Sequence, residues 1–172
     1  MLYVPPISDY KPFYVQFSSG NAKDIMTEYS VIVKAHDYPS SFKPKEPYKN
    51  KWNDESGDDE YIGSIGLFVE AFTFKLECAM FATGATEDEA ISSLQNGIIV
   101  FRNALKNGKL FKTYDAWTHF GFRNVRLADF PNVSGDDYDV WNNCARVIFS
   151  VTLKVNDPIT RMVLNGNTIT TI

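Results

Sequence analysis

Two long stretches of alternating apolar and polar residues dominate the hydrophobic pattern of the chain. Residues 67–82 predict one strand, whose apolar positions are Phe72, Phe74, Leu76, Cys78 and Met80. Residues 145–156 predict a second, with Val147, Phe149, Val151, Leu153 and Val155 on one side. An alternation of period two places these residues on one face of a strand, which is typical of a half-buried antiparallel sheet.

A helix is predicted between these two strands. Thr86 occupies the N-cap position and Glu89 follows three residues later, the spacing of a capping box. Gly108 is a candidate C-cap residue, with Lys106 favourable in the last turn. Apolar residues then recur at spacings of three and four and form one stripe, consisting of Ile91, Leu94, Ile98, Phe101 and Leu105.

Shorter apolar runs predict the remaining strands, which are 13–17, 28–35, 110–114 and 117–127. Residues 130–143 are polar and rich in turn residues, which indicates a connection. The whole pattern predicts an α+β fold in a single domain, 1–172. Its architecture would be a mostly antiparallel β-sandwich or barrel-like sheet flanked by one amphipathic helix.

Three segments fall outside this scaffold. The prolines of residues 1–12 favour an extended N-terminal arm. Near the C-terminus, Asn165-Gly166 predicts a tight turn, so residues 158–172 would form a hairpin or arm. Such an apolar edge needs something to pair with. The third segment, 36–63, contains three prolines and then an acidic run, and would be a long loop.

A loop of this length inside a compact domain is either functional or simply folded over its own domain, and the sequence leaves both interpretations open. In the functional interpretation, its aromatic and acidic residues contact a partner or a neighbouring subunit, together with the turn of the C-terminal hairpin. The candidate contact residues are Phe42, Tyr48, Trp52, Asp54, Asp58, Asp59, Glu60, Tyr61, Asn165 and Gly166.

Composition narrows the function classes. The 172 residues are 44% hydrophobic and 15% aromatic, which is typical of a globular chain rich in sheet. A net charge of −4 argues against a general nucleic-acid binder. No signal peptide or membrane span is expected. The cysteines, Cys78 and Cys144, are expected to be free thiols, although the two strands could bring them together.

No constellation of catalytic or metal-ligating residues is apparent, so neither an enzyme nor a cofactor is predicted. Neither His36 nor His119 has a Cys, His or carboxylate partner at zinc-ligand spacing. His119 is expected in a strand, packed beside Trp117 and Phe120. The acidic runs 54–60 and 136–139 lack the spacing of a calcium loop, which favours a solvated or partner-facing surface over a metal site.

Basic residues gather around the predicted end of the helix and on the strands that follow. They could contact a nucleic-acid backbone, be ordinary surface charges, or pair with acidic loops of an identical neighbour. This predicted basic patch includes two asparagines and consists of Asn103, Lys106, Asn107, Lys109, Lys112, Arg123 and Arg126.

The order of these elements resembles phage tail proteins with the tail-tube fold, a group that includes tube subunits, tail terminators and distal tail proteins. The resemblance covers about half of the chain and rests on 72–84 (FTFKLECAMFATG), 86–108 (TEDEAISSLQNGIIVFRNALKNG), 109–127 (KLFKTYDAWTHFGFRNVRL) and 145–158 (ARVIFSVTLKVNDP). It implies a β-sandwich flanked by one helix, assembled into rings by sheet-to-sheet contact. The loop 36–63 and the Asn-Gly hairpin depart from a minimal tube subunit and fit interlocking extensions.

We therefore expect a virion structural protein, a tail or neck (head–tail connector) subunit made in the host cytoplasm. The resemblance implies a homo-hexameric or homo-dodecameric ring whose partners are copies of itself and adjacent tail or neck proteins. DNA would pass through its lumen without specific binding, and no membrane would be contacted. The alternative is a small protein- or metal-binding domain that uses the acidic and aromatic loop.

Overall fold

The structure is a computed structural model that describes residues 10–18, 20–41, 43–46, 48–50, 59–61 and 69–172. For 48–50 and 59–61 only the backbone is described. The elements in chain order are β1 (Phe13–Gln16), β2 (Lys23–Asp24), α1 (Ile25–Tyr29), β3 (Val31–Asp37), β4 (Tyr48–Asn50), β5 (Asp59–Tyr61), β6 (Phe72–Thr83), α2 (Glu87–Asn107), β7 (Phe111–Asp115), β8 (Phe120–Asp129), a 3-10 turn (Gly135–Asp137), β9 (Tyr138–Trp141), β10 (Cys144–Asp157), β11 (Met162–Asn165) and β12 (Thr168–Thr171).

One antiparallel sheet forms the body of the molecule, in the order β2-β1-β7-β8-β10-β6-β3. The long strand β10 pairs with β6 along its whole length, and its other edge is shared by β8 and β9. The fold is therefore α+β with a mainly antiparallel sheet and one long helix, as the sequence predicts. The eight strands belong to one sheet, and its terminal strands β2 and β3 do not pair with each other, so the sheet does not close into a barrel.

The helix α2 lies across β6 and β10 and buries its apolar stripe against them. Thr86 Oγ1 accepts a hydrogen bond from Glu89 N at 3.2 Å, and Glu89 Oε2 accepts one from Ala85 N at 2.8 Å. These bonds satisfy backbone donors at the helix start. The predicted stripe is confirmed apart from Ile91, which is only half-buried, and the buried positions of the helix are Ala90, Leu94, Ile98, Phe101 and Leu105.

The inner faces of β6 and β10 complete the core. The apolar residues of β10 that were predicted to share one face are all buried, and Phe74, Leu76, Cys78 and Met80 are buried on β6. Phe72 is half-buried at the start of β6. The core thus follows the period-two pattern of the sequence, since a one-residue slip would expose every one of these side chains.

Three predicted elements were wrong in detail. Glu28 lies in the short helix α1 and not in a strand, because Asp24 caps the helix by accepting a hydrogen bond from Met26 N at 3.0 Å. Strand β8 begins at Phe120, and residues 116–119 form a turn in which His119 has φ of 59°. The connection 130–143 contains the additional strand β9.

Candidate functional site

Two antiparallel pairings connect described residues of segment 36–63 with one another and with residues 69–70. In one pairing, Glu70 N donates a hydrogen bond to Lys43 O at 2.8 Å, and Pro44 is bridged to Val69. In the other, β4 pairs with β5 through Tyr48 with Tyr61 and Asn50 with Asp59. These two strands form a sheet of their own and are not hydrogen-bonded into the eight-stranded sheet. We call the described residues that make these pairings, 43–46, 48–50, 59–61 and 69–70, the ribbon.

The predicted contact residues fall into three groups. Four of them lie on the paired strands of the ribbon: Tyr48 in β4, and Asp59, Glu60 and Tyr61 in β5. Another four, Phe42, Trp52, Asp54 and Asp58, lie outside the described residues. The last two, Asn165 and Gly166, belong to a different element, the hairpin β11–β12.

This C-terminal hairpin packs against its own domain. Met162 and Ile169 are buried, and the Ile169 backbone accepts a hydrogen bond from Lys112 Nζ at 2.8 Å and donates one to Gln16 Oε1 at 2.7 Å. The residues between the strands are Gly166 and Asn167, one position later than the Asn-Gly dipeptide suggests. Gly166 has φ of 59°, which suits the first central position of a type II′ turn.

A buried polar cluster that the sequence did not reveal joins β3 to β7. Its centre is the carboxylate of Asp115, only 3% exposed. Asp115 Oδ2 accepts hydrogen bonds from Tyr38 Oη and Thr118 Oγ1, both at 3.1 Å, and Oδ1 accepts one from Trp117 N at 2.8 Å. His36 Nδ1 lies 3.5 Å from Oδ2. Burial, together with the nearby carboxylate, raises the pKa of the Tyr38 hydroxyl, so Tyr38 stays protonated and donates.

A β-bulge explains how β3 reaches this cluster. The pairing of β3 with β6 shifts between Val33 and Ala35, so Lys34 is an extra residue. The bulge places His36 opposite the inward-facing Leu76, whereas an unbroken alternation would turn His36 outward. The only sequence signal was a carboxylate at a strand end followed by Thr118. The other partners of Asp115, His36 and Tyr38, lie more than 70 residues away in the chain and could not be read from spacing.

The geometry around Asp115 indicates a structural role for its carboxylate. A cavity of about 240 Å³ beside it is lined by Lys11, His36, Trp117 and residues of β1 and β3. However, the carboxylate already accepts hydrogen bonds on both oxygens, which limits its use as a base. The two thiols do not supply a nucleophile to this cluster. Burial raises the pKa of Cys78 to about 12, which keeps it protonated, and Cys144 lies at the start of β10. The cluster is therefore a cross-link that holds the curled sheet together.

A basic groove lies at the C-terminal end of α2, where the helix meets β8. It has a volume of about 570 Å³ and is lined by four cationic side chains and by apolar residues that include Leu127 and Phe130. Asp129 is the only carboxylate in its lining. The cations are Arg102, Lys106, Lys109 and Arg126. From the predicted basic patch, the structure brings together Asn103, Lys106, Lys109 and Arg126 and adds Arg102. Asn107 and Lys112 do not line the groove, and Arg123 instead pairs with Asp157.

No cluster of potential metal ligands occurs in the described ranges. No three His, Cys, Asp or Glu side chains there converge on one point. In the acidic run 136–139, Asp137 Oδ2 accepts a hydrogen bond from Ser134 N at 2.8 Å, and Asp139 pairs with Arg146. These carboxylates are engaged separately. The acidic residues at 54–58 lie outside the described residues.

Comparison of the sequence with protein-family models and with curated proteins gives no match. Within the described residues, none of the helices combines the length and the apolar character that a membrane crossing requires.

Proposed function

We propose that this chain is a virion structural protein, a phage tail or neck subunit that assembles into a ring around the DNA channel. The observation that carries the proposal is the ribbon. It lies in the chain between β3 and β6, and its strands β4 and β5 form a separate two-stranded sheet. A two-stranded hairpin is marginally stable in water by itself, so a ribbon of this kind gains stability when a neighbour covers it.

The scaffold supports the same function. A capped helix packed across a long antiparallel strand pair, followed by a strand pair and a long closing strand, is the arrangement that the resemblance to tail-tube proteins implies. Its chemistry is compatible, because the one buried carboxylate of the described part is engaged as a cross-link. A net charge of −4 suits a lumen through which DNA slides without binding.

The alternative, a small binding domain, also uses the ribbon, and the two differ in oligomeric state. The purified chain should form rings of six or twelve copies, detected by native mass spectrometry and electron microscopy. In a symmetric ring each subunit presents one surface to one neighbour and a second to the other. A folded chain that stays monomeric at high concentration and binds calcium tightly would refute the ring and favour the binding domain.

A ribbon deletion sharpens the test. Because Pro44 pairs with Val69, replacing 45–68 by Asn-Gly would close the ribbon with a two-residue hairpin turn and leave β3 and β6 in register. The variant should retain the circular dichroism spectrum of the parent and lose assembly. Deletion of 158–172 is not an equivalent test, because it removes the buried Met162 and Ile169 and would destabilise the domain.

A further inference from the structure

The basic groove gathers cationic side chains that have no carboxylate partner among the described residues. Arg102, Lys106 and Lys109 make no ion pair with any described residue, and among these residues Arg126 donates only to the Leu127 carbonyl, at 3.1 Å. By contrast, Lys23, Lys34, Arg123 and Arg146 each have a carboxylate partner. The groove therefore stands out in a chain whose net charge is negative.

Local structure accounts for only part of this cluster. The helix macrodipole favours a cation in the last turn, which explains Lys106. However, Arg102 and Lys106 are four residues apart on one helix face, where like charges repel by about 0.2–0.5 kcal/mol. Lys109 lies beyond the helix with φ of 54°, and Arg126 approaches from β8. Four cations from three parts of the fold thus share one groove, an arrangement that suits an anionic ligand with several charges.

The chain itself carries a segment that matches this groove. Residues 54–60 contain five carboxylates and no cation. Trp52 precedes the segment and Tyr61 follows it, and aromatic side chains are common anchors in protein interfaces. The groove offers both complementary features, since its lining combines cations with the half-buried apolar side chains of Leu127 and Phe130.

We propose that the basic groove is the docking site for the acidic segment 54–60 of a second copy of this chain. The proposal deepens the proposed function and rests on it. The acidic segment of one subunit binds between α2 and β8 of the next. Such a contact joins two different surfaces, which is the head-to-tail interface that a ring requires. It also gives the ribbon the partner that a lone two-stranded sheet lacks.

A charge-swap experiment tests the contact. The groove variant carries Arg102→Glu and Lys106→Glu, and the segment variant carries Asp58→Lys, Asp59→Lys and Glu60→Lys. Each variant alone should self-associate at least about tenfold more weakly than the parent, since like charges then face each other. A mixture of the two should recover assembly, because each supplies the complement that the other lacks. Recovery in the mixture requires contact between chains and excludes docking within one chain.

A matched control carries Lys11→Glu and Arg161→Glu, which change the net charge as much as the groove variant does but lie at exposed positions outside the groove. It should assemble like the parent. Assembly of the parent should also weaken between about 0.05 M and about 0.5 M salt, because screening reduces the attraction of exposed charges.

The outcomes separate the two proposals. If the parent forms rings and both charge variants do so equally well, the docking site is wrong and the ring stands. The same conclusion follows if the variants are impaired but their mixture is not restored. If the parent itself remains monomeric, both the proposed ring and the proposed docking site are wrong.

Discussion

The carbonyl oxygen of Met162 lies directly over Gly121. A Cβ atom at position 121 would be 2.3 Å from that oxygen and 2.8 Å from the carbonyl carbon. The hairpin β11–β12 can therefore approach β8 this closely because residue 121 is a glycine and has no side chain. Because the obstructing atoms belong to the backbone, a side-chain rotation cannot relieve the clash.

Gly121→Ala should consequently destabilise the protein. We expect a loss of about 2 kcal/mol in the free energy of unfolding, with a fall in Tm of roughly 4–8 °C, because the hairpin must shift away from β8. Calorimetry or thermal circular dichroism would measure it. Gly135→Ala is the matched control, since a Cβ there meets nothing within 4 Å. An unchanged Tm for Gly121→Ala would show that the hairpin is not held against β8.

Removal of the buried carboxylate should also be costly. Asp115→Ala leaves the hydroxyls of Tyr38 and Thr118 and the Trp117 amide without their acceptor. We expect a loss of about 3 kcal/mol, measured by urea unfolding. Asp37→Ala, an exposed position whose side chain makes no hydrogen bond with the described residues, should change stability by less than about 0.5 kcal/mol. Equal effects of the two substitutions would contradict the cross-link.

The stability of the fold should depend on pH through the Asp157 carboxylate. Desolvation raises the pKa of this carboxyl, but hydrogen bonds from Arg123 and Thr160 outweigh it, and the net shift is downward. A carboxyl whose pKa is lower in the folded state stabilises the fold above its unfolded pKa, and this contribution disappears as pH falls through the folded value. Asp157→Asn should therefore lower Tm at pH 7, and the difference from the parent should shrink below about pH 4. A difference that stays constant down to pH 2 would assign the effect to geometry and not to charge.

The two cysteines should differ in reactivity and should not form a disulfide. Cys144 pairs with Thr83 and Cys78 pairs with Phe149, so the thiols lie five positions apart along β6, about 16 Å. A disulfide requires Cα atoms within about 7 Å. Burial, with the nearby Glu77, raises the pKa of the Cys78 thiol to about 12, whereas Cys144 is partly exposed.

A thiol reagent at pH 8 should therefore label one cysteine in the folded protein and two in denaturant, as counted by mass spectrometry. Cys144→Ser should abolish labelling of the folded protein, and Cys78→Ser should leave it unchanged. Rapid labelling of two thiols in the folded parent would mean that β6 opens readily.

Local periodicity determined the parts of the fold that the sequence predicted correctly. The alternation in β6 and β10 and the 3.6-residue stripe of α2 depend on neighbouring residues alone, as does the cap formed by Thr86 and Glu89. The chain by itself therefore specified two long half-buried strands and one capped amphipathic helix, and the pairing of β6 with β10 came from the tertiary structure. The local pattern was misleading at the start of the predicted strand 28–35. Asp24 caps a short helix there by accepting a hydrogen bond from Met26 N, so this backbone does not pair as a strand.

Contacts between distant segments were decided only by the tertiary structure. Asp115 meets Tyr38 because a bulge at Lys34 turns the end of β3 inward and the sheet curls. Arg102 and Arg126 share a groove because α2 ends beside β8. Neither contact produces a periodic pattern in the sequence, because both contacts depend on strand register, sheet curvature and the position where a helix ends. The sequence thus determined the scaffold, and the tertiary structure decided which charges face one another.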